Sequence, residues 1–175
     1  MNNAELVEHN KNRKIYQIAV VTRDIYRTMD AWIENLKIGP WTVLTFTNET
    51  MDYLRVGGEE VTEPYKFLIA ISRVGDMEFE IIQPVYGPTI YDAFLNAKGE
   101  GLHHIKEQVS DEKLPGVLSE YASKGIEVMQ TGQFDIDVHY YLDSAHKVDF
   151  IYELGNCPVY DLPADMYTIY PDPGN

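Results

Sequence analysis

Gln17-Ile18-Ala19-Val20-Val21-Thr22-Arg23-Asp24 is a stretch that the chain states twice. Its second statement is His104-Ile105-Lys106-Glu107-Gln108-Val109-Ser110-Asp111, and 87 residues separate the copies at both ends, half of the 175-residue chain. Each copy opens a strand with a side chain able to bind a metal and closes on an Asp suited to cap a following helix. Each half then ends in a strand that carries a carboxylate, Phe79-Glu80-Ile81-Ile82 and Ile151-Tyr152-Glu153-Leu154. Two halves that each supply one Gln or His and one Glu can build a four-ligand site on a pseudo-twofold axis.

Outward from these copies, each half reads β-α-β-β-β. In the first half, Ile15 to Val21 is apolar and β-branched, as a buried strand requires. Ile25, Met29, Trp32, Ile33 and Leu36 recur at helical spacing, which predicts an amphipathic helix over 25–37. Ile38-Gly39-Pro40 stops it, because Gly accepts a left-handed cap and Pro cannot continue a helix. Strands follow at 41–47, 67–72 and 77–83, with 48–64 read as a loop or an irregular edge strand. In the second half, strands are expected at 102–109, 126–134, 137–142 and 148–154, with a helix through Leu114, Val117, Leu118 and Tyr121. The fold class is therefore α+β, two βαβββ modules in one chain forming a cup-shaped mixed sheet around a central site. The boundaries are an N-terminal arm at 1–13, a first module at 14–88, a linker helix and second module at 89–155, and a tail at 156–175. The tail, with Pro158, Pro163, Pro171, Pro173 and three tyrosines, reads as an extended segment over the body or a floppy end.

Composition narrows the function. The chain has 14 basic and 28 acidic residues, a formal charge of −14, which repels a phosphate backbone and argues against nucleic acid. No apolar run reaches the roughly 20 residues that span a bilayer. The polar start from Met1 to Lys14 lacks a signal-peptide core, so a cytoplasmic protein is expected. A single Cys157 excludes an intramolecular disulfide and a thiolate-rich zinc site. One His, two carboxylates and an amide oxygen suit Mn, Co, Ni, Fe or Zn, and leave room for water or substrate on a Lewis-acid metal.

The chain resembles the vicinal-oxygen-chelate superfamily, which includes glyoxalase I, methylmalonyl-CoA epimerase, extradiol dioxygenases and bleomycin-resistance proteins. The residues that carry the resemblance span about 14–155, and the epimerase-like branch is the nearest. They are Phe94-Leu95-Asn96-Ala97-Lys98-Gly99-Glu100-Gly101-Leu102-His103-His104-Ile105, Met77 to Pro84, and the hairpin Tyr141-Leu142-Asp143-Ser144 with Glu153-Leu154. The resemblance implies one divalent metal on Gln17, Glu80, His104 and Glu153, with Glu153 and Glu63 as catalytic acid/base carboxylates. It departs from that branch at Gln17, where the epimerases carry His, and at Glu63-Pro64, whose order is reversed. The implied activity is a metal-dependent isomerase or epimerase that removes a proton next to a carbonyl. Its partner would be a small carbonyl or thioester substrate, with no membrane, and a homodimer stays open. The alternatives are a glyoxalase-like lyase or a dioxygenase on the same scaffold, and a non-enzymatic protein that sequesters a small hydrophobic compound.

Other residues receive plainer readings. Alternation places His103 on the face opposite His104. Glu78 shares a face with Glu80, so a solvated sheet face rivals the ligand reading for both. His139 and His146 sit near turns and are expected at the surface. Ser144 and Cys157 have no visible base partner.

Overall fold

The computed structural model describes residues 1–159, 161–172 and 174, so Tyr160, Pro173 and Asn175 of the tail lie outside the described residues. The elements run in the expected order. They are α1 (Asn3–Asn10), β1 (Lys14–Val21), α2 (Ile25–Leu36), β2 (Trp41–Thr47), β3 (Tyr53–Val56), β4 (Glu59–Glu60), β5 (Lys66–Val74) and β6 (Met77–Tyr86) in the first half. The second half contains α3 (Ile90–Lys98), β7 (Gly101–Gln108), α4 (Leu114–Ser123), β8 (Val128–Phe134), β9 (Asp137–Leu142), α5 (Ala145–Val148), β10 (Ile151–Gly155) and β11 (Tyr167–Tyr170).

All described strands join one mixed sheet in the order β11-β2-β5-β6-β1-β7-β10-β9-β8-β3-β4. Its centre is the twofold foreseen from the repeat. β1 and β7 run antiparallel, and Ile18 pairs with Ile105, its own counterpart at the 87-residue offset. Outward from that pair, β6-β5-β2 on one side repeats as β10-β9-β8 on the other. The carboxylate strands keep the same equivalence. Glu80 pairs with Ala19 and Glu153 with Lys106, each two residues beyond the repeated Gln17 or His104. Only 73 residues separate Glu80 from Glu153, because the second half spends less chain on its loops.

The sheet curls because the chain ties its far ends together. β2 lies second from one edge and β3 second from the other, yet only residues 48–52 connect them. Such a link spans about 20 Å at most. Asp52 N–H donates to Gln133 O, and the Phe46 and Phe134 rings meet edge to face at 5.3 Å across the closure. The stretch 48–64 thus supplies a hairpin that extends the opposite module.

Apolar side chains fill three clusters, one inside the cup and one under each covering helix. Ala19, Val21, Leu44, Phe46, Leu54, Phe67 and Ile82 belong to the inner one. Ile25, Met29, Trp41, Val43 and Ile81 pack beneath α2, where Trp32 meets both Trp41 and Phe79 edge to face. Leu114, Leu142, Tyr152 and Leu154 pack beneath α4. Burying side chains of this size contributes about 1.5–3 kcal/mol each.

The structure refines the local expectations at four points. Asp24 caps α2 by accepting from Arg27 N–H, but α4 starts after Lys113 with no side-chain cap, so Asp111 does not cap it. The strand expected from 148 begins at Ile151, because Ala145–Val148 form α5 and Asp149 turns left-handed (φ 70°). The tail is anchored at its far end, where β11 pairs antiparallel with β2. The N-terminal arm carries α1, none of whose residues is buried.

Candidate metal centre

Two β-bulges, themselves related by the repeat, aim the site residues. The β1–β7 ladder skips Tyr16 before Gln17 and skips His103 before His104, and 87 residues separate the two skipped positions. A bulge sets two residues of one strand against one of its partner and breaks simple alternation. His103 therefore does not sit across the sheet from His104. Its Nδ1 lies 2.9 Å from His104 Nδ1, and its ring packs against Tyr91, Phe94 and Tyr141.

His104 Nε2 is the point on which the expected ligands converge. Gln17 Oε1 lies 3.1 Å from it, Glu153 Oε2 2.8 Å and Glu80 Oε2 3.3 Å. All four residues are buried. Gln17, Glu80 and Glu153 line a cavity of about 350 Å³ inside the cup, with His104 behind them. Glu78 also lines it, so the solvated-face reading of Glu78 and Glu80 gives way. Glu78 orients the amide: Gln17 Nε2 donates to Glu78 Oε1 at 2.7 Å, which turns Gln17 Oε1 toward His104. Arg73 in turn donates to Glu78 Oε2 at 3.1 and 3.2 Å and to the Tyr16 hydroxyl. Such outer partners fix a ligand's orientation.

Lys106 is the cation of the floor. Its Nζ lies 3.0 Å from Glu153 Oε1, and the side chain is buried. Burial pushes its pKa down, but Glu153 and then Asp137 more than reverse that and leave it well above the usual lysine value. Burial likewise works to raise the Glu153 pKa, yet Lys106 and then His104 hold it far below the carboxylate range. Glu80 has no lysine, and burial leaves its pKa raised. His104 is lowered by burial and raised more strongly by Glu153 and Glu80, to about 9. Burial and the nearby His104 charge keep His103 well below the usual histidine value, so its Nδ1 accepts from His104.

These donors meet the chemical requirement for a divalent metal. A neutral His104 would face three oxygens with the lone pair of Nε2, so the cluster needs a cation there, a proton or a metal. Glu153 Oε2 is a buried charged oxygen beside that point, with no well-directed hydrogen bond among the described residues. Four carboxylates line the cavity, Glu78, Glu80, Asp137 and Glu153, against Arg73 and Lys106. The side chains nevertheless lie against one another. As they stand, no three His, Cys, Asp or Glu among the described residues are set to hold a metal, so binding requires the contacts to Nε2 to open.

The remaining expected residues fall in different places. Glu63 is exposed in the loop before β5 and outside the cavity lining. His139 lines the cavity, contrary to a surface position, with Nε2 buried and unpartnered among the described residues. Its ring lies over Gly132, where a Cβ would come within 2.8 Å of Nε2. His146 is exposed. Phe46 lines the cavity, whereas Trp41 and Tyr140 pack under the helices. The Ser144 hydroxyl pins a turn, accepting from Tyr152 N–H and donating to Phe150 O. Burial pushes the Cys157 thiol up to about 12. Lys106 went unread, although alternation places it two residues from His104; charged residues on a strand face usually meet water.

Comparison with known proteins gives the family. Residues 16–140 match the model of the Glyoxalase/Bleomycin resistance protein/Dioxygenase superfamily. No curated protein matches the sequence. Among solved structures, a hypothetical protein from Bacillus halodurans C-125 is 15% identical with a TM-score of 0.60, covering 87% of this chain and 99% of its own. Methylmalonyl-CoA epimerase from Mycobacterium tuberculosis is 13% identical with a TM-score of 0.57, over 81% of this chain and 85% of its own. A mutant 4-hydroxymandelate synthase from Streptomyces coelicolor is 14% identical with a TM-score of 0.56, over 90% of this chain and 42% of its own. The chain belongs to the glyoxalase/bleomycin resistance/dioxygenase superfamily.

Proposed function

Within that superfamily, we propose that this chain is a metal-dependent isomerase or epimerase that moves a proton next to a carbonyl. One observation carries the reading: Gln17, Glu80 and Glu153 converge on His104 Nε2 at the floor of the cavity. Gln17, Glu80, His104 and Glu153 would hold the metal, which as a Lewis acid would stabilise charge developing on a substrate carbonyl oxygen. Arg73 and Glu78 hold the Gln17 oxygen toward the site, and His103 holds the His104 ring. Glu80 and Glu153 stand on opposite sides of the pseudo-twofold axis, so a proton taken from carbon can rest on a carboxylate oxygen on either side. Leu44, Phe46, Phe67, Ile69 and Ile71 form an apolar wall that keeps water from the reacting carbon. Exposed Glu63 has no part in this proton transfer.

The likeness to an enzyme named for methylmalonyl-CoA supports a thioester as the first substrate to try. In heavy water, an acyl-CoA or a 2-oxo thioester should gain deuterium at the α-carbon with the metal-loaded protein. Glu153→Gln should slow that exchange at least a hundredfold, and Glu63→Gln should leave it within about twofold. Absence of exchange from every carbonyl compound, together with tight metal-free binding of aromatic compounds, would replace this reading with a sequestering role. The Phe46 and Phe67 rings, stacked at 5.4 Å in the cavity wall, favour that second reading.

A further inference from the structure

Glu80 and Glu153 are counterparts with different neighbours. Glu80 pairs across its parallel ladder with Ala19, and Glu153 pairs with Lys106. Two residues further along the same strands, Ile82 stands in the first half and Gly155 in the second. A Cβ on Gly155 would fall 2.6 Å from Lys106 Cε and 3.2 Å from its Nζ. The lysine's arm thus occupies room that only glycine leaves, and the first half, with Ile82, has none to give. A buried ammonium, its counter-ion and the glycine that admits it together form a built feature of one half alone.

Among the described residues, the Lys106 ammonium has one ion-pair partner, Glu153 Oε1, while Oε2 of the same carboxylate lies 2.8 Å from His104 Nε2. One carboxylate therefore separates the ammonium from the point where the donors converge. We propose that Lys106 is a resident counter-cation that competes with a divalent metal for Glu153 and makes the site weak and exchangeable. This inference rests on the metal reading of the four donors. Two effects of the lysine oppose each other. By orienting Glu153 it aids binding, and outer partners of this kind are typically worth 10- to 100-fold in affinity. By its charge it repels a divalent ion, and at an effective dielectric of about 20 a unit charge a few ångströms away outweighs that orientation. The balance favours repulsion. In the metal-free state Lys106 shares with His104 the task of balancing the buried Glu153 charge, so the protein stays folded while metal exchanges.

The test is titration of chelator-stripped protein with Mn(II) and Co(II), read by calorimetry. Lys106→Met keeps the arm and removes the charge, and should bind about 10- to 100-fold more tightly than wild type. Lys106→Arg keeps the charge and should stay within about threefold of wild type. A second readout is the melting temperature. The rise on adding saturating Mn(II) should be larger in Lys106→Met than in wild type, because only the variant lacks the Lys106–Glu153 ion pair without metal and leaves His104 as the one remaining counter-charge. Should Lys106→Met fail to fold, Gly155→Ala pushes the arm off Glu153 and should tighten binding severalfold; no gain there overturns the proposal. Metal binding by wild type that is equal or weaker in Lys106→Met also overturns it and leaves the four-donor reading intact. If no variant and no wild-type protein binds metal, the four-donor reading falls and takes this inference with it.

Discussion

The two walls of the cavity are built on one backbone plan and differ in chemistry at several matched positions. Ile71 pairs with Glu80 as Tyr141 pairs with Glu153, and Ile69 pairs with Ile82 as His139 pairs with Gly155. At matching positions, then, the first half offers Ile69, Ile71 and Ala19, and the second offers His139, Tyr141 and Lys106. The same contrast recurs beneath the helices. Glu107 and Tyr152 of the second half stand where the first half has Val20 and Phe79. Arg13 donates to Glu107 at 2.5 and 2.7 Å, and the Tyr152 hydroxyl donates to the same carboxylate at 2.6 Å. Duplication thus accounts for the geometry of the centre, and divergence accounts for its polarity.

The sharpest way to break the comparison is at the matched pair that gives the repeat its meaning. His104→Ala should lower metal affinity by more than a hundredfold, whereas Gln17→Ala should lower it about tenfold, since imidazole binds borderline metals better than an amide does. Equal metal content in wild type and His104→Ala, measured on purified protein, would remove the site from His104.

The next effect concerns stability. Glu107→Gln should cost about 1–3 kcal/mol near neutral pH, because it weakens charge-assisted hydrogen bonds that Val20 and Phe79 have no counterpart for. The pH dependence has a definite sign. Burial raises the Glu107 pKa, but the Arg13 and Tyr152 hydrogen bonds outweigh it and leave it below the usual 4.5. Its contribution is therefore complete above about pH 4.5 and disappears as pH falls through the folded value. Wild type and Glu107→Gln should differ in urea midpoint at pH 7 and converge in acid; a gap that is constant down to pH 3 would contradict the network's role.

A smaller change would make the halves more alike. Gln17→His restores imidazole at the first copy, with Glu78 placed to accept from the ring nitrogen that faces away from the metal. Affinity should rise about tenfold, and a titration showing no gain would mean that the amide is suited to this site as it stands. The smallest effect lies at the caps. Asp24→Ala should cost about 1 kcal/mol and Asp111→Ala less than about 0.5 kcal/mol. Equal losses on thermal melting would contradict the asymmetry seen at the two helix starts.

Most of the frame was legible because it is written in apolar periodicity and in a repeat long enough to recognise. Gln17, Glu80, His104 and Glu153 were legible as counterparts, since each occupies the same place in a repeated strand. What parity rules cannot register is a bulge, and the skipped residue His103 is where alternation assigned the wrong face. Nor does local pattern distinguish a lysine in water from one, like Lys106, whose carboxylate partner lies 47 residues away on another strand. His139 near a turn and Asp111 before a helix looked like familiar local signals; the cavity takes in the first, and a backbone turn from Ser110 to Leu114 starts the helix only after Lys113. The tail was ambiguous for the same reason, because its partner β2 lies more than a hundred residues earlier.

That pairing protects the sheet as well as tying down the tail. A strand at the margin of a sheet presents unpaired N–H and C=O groups to any other chain that can add to it. One margin here is blunted by β4, two residues long and both glutamates. At the other, β2 is seven residues made only of apolar side chains and threonines, the kind of margin that recruits neighbours, and β11 lies along it. Loss of β11 would uncover β2 and turn it into a template for intermolecular association.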